Sequence, residues 1–143
     1  MIRTLAAAPT LAGGLDGFRL TLHVLAAALW VGGQFTVAGL LPTVRRFGDD
    51  APKAVARALA RVLWPAYAVL VITGFWNVGA VGTSGASSAW KAVLVTKIVV
   101  VAVAGLAVFL HQRATTTRGR AVFGAVGSLA SVTALALGVF LAG

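Results

Sequence analysis

Four stretches of the chain, at about 18–41, 62–80, 90–113 and 121–141, are apolar on every side of a helix rather than on one. A surface helix of a soluble domain carries a single apolar stripe, so helices apolar all round need lipid or a deep core as solvent. Each run is close to the roughly 20 residues that span a bilayer, and no core in a chain this short could bury four of them. The segments between are brief and polar or glycine-rich: 45–52, with Gly48, Asp49 and Asp50; 79–89, rich in Gly and Ser; and 114–120. Short links join antiparallel neighbours. The pattern therefore predicts an all-α fold, a four-transmembrane-helix antiparallel bundle forming one membrane domain over residues 1–143.

Details at the helix ends follow from local chemistry. Asp16 is placed as a cap for the first helix, Pro42 falls just past its end, and Pro65 near the start of the second either is tolerable because first-turn amides lack helical partners or produces a kink. Lys53, Arg57 and Arg61 recur at helical spacing, which predicts a short interfacial helix before the second span. Residues 1–15 hold Arg3 and an apolar patch broken by Pro9, too short for a signal-peptide core, and read as a mobile or interfacial N-terminus. The fourth helix lacks ionisable residues and carries Gly124, Gly127, Ser128, Ser131 and Gly138, a small-residue spacing that permits close helix contact, within the chain or with a second copy or a larger membrane complex.

Composition agrees with a lipid solvent: of 143 residues 59% are hydrophobic and 10% charged. The net charge of +9 would suit nucleic acid, but the cations cluster at helix ends, where they act as orientation signals and contacts to lipid headgroups; the expected partner is the bilayer, with no nucleic acid. Arg45, Arg46, Lys53, Arg57 and Arg61, together with Arg113, Arg118 and Arg120, share one side, and the positive-inside rule makes that side cytoplasmic and turns both termini outward. There is no cysteine, so thiolate metal sites and disulfides are excluded. Nucleotide-binding glycine loops, Ser-His-Asp arrangements and acidic metal clusters are likewise missing from the sequence.

Candidate chemistry comes from the few polar groups inside the spans, each costly in lipid and so a functional hypothesis by default. His23 on helix 1 and Lys97 on helix 3 lie about 8 and 10 Å below their helix starts at 1.5 Å per residue, and two parallel helices put them level. Arg19 sits one turn outward of His23 on the same face, Trp30 continues that face inward, and Asn77 falls in the same outer layer. The group is cationic and ligand-capable, with no intramembrane carboxylate expected beside it. His23 is the candidate metal ligand, competing with a plain interhelical hydrogen bond to a neighbouring Thr or Ser. Lys97 either meets a cofactor or snorkels toward the headgroups. His111 lies about 21 Å along helix 3 from Lys97, beside Gln112 and Arg113, which suits a helix-end cation and excludes an ion shared with His23 in one chain.

Three segments resemble a known family. LHVLAAALWVGGQFTVAGLL at 22–41, followed by PTVRR, resembles the first helix of CopD-like copper-resistance membrane domains; VLVITGFWN at 69–77 and LVTKIV at 94–99 resemble two further helices of that family. The related HemJ-type protoporphyrinogen oxidases carry a histidine seven residues before a tryptophan on the first helix and a lysine on the third, which match His23, Trp30 and Lys97. The resemblance implies a multi-pass protein of the cytoplasmic (inner) membrane of a bacterium. It further implies b-type haem or a porphyrin ligated by His23, a cofactor contact at Lys97, a propionate partner at Arg19, and haem-dependent oxidoreductase chemistry. Copper transport or tolerance is the alternative, and with no Cys and Met1 alone a copper path has to rest on His23 and His111. An accessory subunit, docked through helix 4, is the third expectation.

Overall fold

The computed structural model describes residues 11–142, so expectations for Arg3 and Pro9 lie outside the described residues. Four helices fill this range: α1 (Gly14–Val44), α2 (Ala51–Val81), α3 (Ser88–Arg113) and α4 (Thr117–Ala142), with a three-residue 3-10 turn, Arg45–Phe47, between the first two. All four are long and apolar enough to cross a membrane. Large apolar side chains face outward on every one, for example Ile72 at 65%, Leu129 at 69% and Phe140 at 75% exposure, a surface that only lipid or another apolar partner satisfies. At 31 residues each, α1 and α2 run to roughly 46 Å, a surplus of about three turns over a hydrocarbon core of about 30 Å.

Those surplus turns correct three expectations. The interfacial segment and the second span form one continuous helix from Ala51, because Pro52 lies in its first turn and nothing between Ala54 and Trp64 breaks it. Pro65 lies well inside α2, where it removes one amide donor without ending the helix. Pro42 likewise falls inside α1 rather than beyond it. At the other end α1 starts at Gly14, and Gly13 holds the cap position with no side-chain cap; Asp16 belongs to the first turn. Gly48 and Gly82 have φ of 107° and 71°, positive values that let the chain leave the 3-10 turn and α2 without a Cβ clash. Outside the lipid, Lys53 donates to Asp50 at 3.0 Å and holds that carboxyl below the usual carboxylate range.

Neighbouring helices are antiparallel. Trp90 at the start of α3 donates to the Leu141 carbonyl at the end of α4, while His111 at the other end of α3 donates to the Arg120 carbonyl. The α1–α2 and α3–α4 hairpins pack closely. They meet through α1 and α4, where Trp30 and Gln34 reach Ser131, and through α2 and α3, where Tyr67 reaches Val101. The small residues of α4 serve this packing: Gly124 faces His111, Gly127 faces Val108, and Ser131 is buried. They face helices of the same chain.

The centre of the bundle is an aromatic layer. Trp30, only 2% exposed, lies 4.6 Å from Tyr67 and 5.8 Å from Trp64, ring centre to ring centre. Its indole N–H donates to Ser131, and Ser131 in turn donates to the Gly127 carbonyl. Tyr67 donates to Val101 at 2.8 Å beside Gly105. The Trp30, Tyr67 and Ser131 donors of this layer all have partners, as the low dielectric requires.

Candidate functional site

Above this aromatic floor, toward the end where α1 begins, all four helices contribute to one polar layer. Trp30 meets Ser131 between α1 and α4; seven residues further on along each helix, about 10 Å, stand His23 and Gly138. Lys97 of α3 packs its ammonium against Gly138, in space that a side chain on α4 would fill. From α2, Thr73 reaches His23, with Nδ1 2.8 Å from Oγ1. His23 and Lys97, predicted to be level, thus share one layer, Lys97 reaching it beside Gly138 and His23 beside Thr73.

The hydrogen bonds fix the state of the imidazole. The Thr73 hydroxyl has one proton, and its shortest contact, 2.6 Å to the Val69 carbonyl, takes it. With that proton on the Val69 carbonyl, Oγ1 accepts from His23 in the tautomer that carries its proton on Nδ1, and Nε2 is then the nitrogen that Thr73 does not engage. The interhelical hydrogen bond and the ligand role weighed as alternatives for His23 are therefore compatible: one nitrogen does the first and frees the other for the second. Gly74, one residue beyond Thr73, lies beside the ring, where even an added Cβ would stand 3.5 Å from Cε1.

One turn outward lies a second layer. Arg19 is 5% exposed, pairs with Asp16 at 3.0 Å, and donates to the Trp76 carbonyl at 3.4 Å. The Asp16 pairing corrects the expectation that no carboxylate would neutralise the cluster. It arises because α1 starts four residues earlier than the apolar run, which brings Asp16 into the helix at i, i+3 from Arg19. Two buried atoms have no protein partner, Arg19 Nε and Asn77 Oδ1. Both belong to this layer, Asn77 standing one turn out from Thr73.

Arg19, His23, Lys97 and Asn77 thus gather in the half of the bundle where α1 begins, whereas Trp30 is committed to the floor by Ser131 and Tyr67. His111 sits at the basic end, exposed and bonded to Arg120, far from His23. Thr73, Gly74 and Gly138 were missed by sequence reasoning; the Thr-Gly pair at 73–74 was visible as a motif, but its partner on α1 was not. Among the described residues no group of three or more His, Cys, Asp or Glu side chains converges to hold a metal ion. No family model, curated protein or solved structure matches the chain.

Proposed function

We propose that this chain is an integral membrane haem protein that holds haem b, or a related metalloporphyrin, through His23. The observation that carries the reading is a single imidazole whose Nδ1 is engaged by Thr73, with the other histidine, His111, at the far end of the bundle and no cluster of three or more His, Cys, Asp or Glu among the described residues. A bare copper ion needs several protein donors, and the two histidines stand at opposite ends of the bundle. Iron in a porphyrin already has four nitrogens and asks the protein for one axial ligand. That donor count favours haem over copper here.

The other residues fit the same group. Gly138 lets the Lys97 ammonium enter the layer of His23, and Trp30 with Tyr67 closes the layer on the basic side. Lys97 and Arg19 supply the cations that haem carboxylates require in a low dielectric, Arg19 with a donor still unpartnered. When bound, haem would supply a one-electron couple, the basis of oxidoreductase chemistry. His23 orients and ligates, Thr73 fixes its tautomer, and the aromatic floor excludes water. The positions that carry the HemJ-type resemblance, His23, Trp30 and Lys97, are the ones this reading uses.

Hemin titrated into the detergent-solubilised protein is expected to saturate a single site. Thr73→Val keeps the shape of the side chain but removes the acceptor for Nδ1, and loss of such an outer partner lowers metal affinity by about 10–100-fold. An unchanged hemin affinity in Thr73→Val would contradict the tautomer argument, and a wild-type protein that leaves free hemin unaltered would end the haem reading.

We further propose that the protein lies in the cytoplasmic membrane of a bacterium with its basic end inside, so that the His23 layer belongs to the outer half of the bilayer. The natural lack of cysteine makes the check direct. Ser84→Cys, in the link between α2 and α3, is expected to react with a membrane-impermeant maleimide on intact cells, and Thr115→Cys only after the membrane is opened. The reverse pattern would invert the orientation.

A further inference from the structure

Arg19 combines features that a purely structural ion pair does not need. The guanidinium is buried, with a side-chain exposure of 6%, while its carboxylate partner Asp16 is 59% exposed. The two are related by i, i+3, Asp16 in the first turn of α1 and Arg19 in the second. Neither Arg19 Nε nor Asn77 Oδ1 in the same layer has a partner within the protein. Arg19 also stands one helical turn, about 6 Å, from His23 on the same face.

The energetics of the two partners differ accordingly. Arg19 cannot lose its counter-charge without leaving a buried cation uncompensated. Asp16 can leave at little cost, because water reaches it and the amino-terminal end of α1 favours a negative charge wherever the side chain turns. Losing Asp16 alone is therefore expensive for Arg19, but exchanging it for another carboxylate is nearly neutral. The unpartnered Nε then adds a donor that Asp16 does not use.

We infer that Asp16 is a built-in competitor at Arg19: its carboxylate holds the guanidinium in the empty protein and is displaced by a carboxylate of the ligand that His23 binds. The proposal rests on the haem reading of the His23 layer and adds to it an exchangeable gate. Asp16 makes the empty site self-sufficient, while the buried guanidinium of Arg19 is what rewards a ligand that brings an acidic group with it. A neutral ligand gains nothing from Arg19, since it leaves the Asp16 pair in place. An acidic one gains the guanidinium but first has to expel Asp16, so its apparent affinity falls by the fraction of time that Asp16 is away.

The test compares hemin with hemin dimethyl ester, in which both carboxylates are capped, on wild type, Asp16→Asn and Arg19→Gln. If Asp16 holds Arg19 nine-tenths of the time, Asp16→Asn is expected to bind hemin about tenfold more tightly. The dimethyl ester is expected to bind wild type and Asp16→Asn alike, because it does not compete with Asp16. Arg19→Gln should weaken hemin and abolish the preference for hemin over its ester. Hemin affinity unchanged or lowered in Asp16→Asn, with His23-dependent binding intact, overturns the competitor and leaves the haem reading standing; an equal gain for the ester overturns it too. Failure of wild type and Asp16→Asn alike to bind hemin ends both. Should Arg19→Gln not fold, the hemin-to-ester comparison on Asp16→Asn decides the matter without it.

Discussion

Replacing His23 by glycine is expected to abolish haem binding while leaving the bundle folded, and added imidazole is expected to restore it. His23 gives the fold one hydrogen bond, to Thr73, and that hydroxyl keeps its own partner at Val69 when the ring is gone. A single interhelical hydrogen bond in a membrane is worth about 0.6 kcal/mol, so stability should change little. The proposed axial ligand, by contrast, is the one imidazole of its layer, since the other histidine, His111, is bonded to Arg120 at the basic end. Free imidazole fits the vacated space and supplies the same nitrogen. Haem content per chain, measured in the variant before and after imidazole, checks the prediction. Retention of full haem content by His23→Gly would place the ligand elsewhere.

The largest effect on the fold is expected from Gly105→Val. Gly105 lies against the Tyr67 ring, and a Cβ there would overlap it. Tyr67 cannot retreat, because Trp30 packs on its other side and its hydroxyl is fixed to Val101. Overpacking a core costs about 1–3 kcal/mol, occasionally more, and this site also forfeits the hydrogen bond that ties α2 to α3. Thermal unfolding of the detergent-solubilised protein should show a large fall in Tm or no folded protein. Gly39→Ala, on α1 where an added Cβ meets nothing, is the control and is expected to be neutral. A Tm equal to wild type in Gly105→Val would mean that α2 and α3 do not meet as described.

The contrast between these two positions shows what the sequence made legible. Apolar runs set the four helices, since lipid rewards an uninterrupted stretch whatever its neighbours are. Their alternating directions followed from the short links, and with them the levels of His23 and Lys97. Helix ends were less legible. Apolarity marks where lipid stops, whereas a helix stops where its backbone runs out of partners, so α1 starts at Gly14 and captures Asp16. Pairing across helices was the least visible. Nothing in the linear order tells Thr73 to face His23, or Gly105 to face Tyr67; helix rotation decides that, and rotation is set by the packing of the whole bundle. The small residues on α4 signalled close contact correctly, but not that the contact would be with α3 and α1.

The central claim, that the open imidazole of His23 is an axial ligand, is tested most directly by the absorption spectrum of the protein purified from a haem-replete host, before and after dithionite. The account predicts a Soret band in the oxidised protein that shifts on reduction. A colourless preparation whose spectrum stays featureless after hemin is supplied would contradict it.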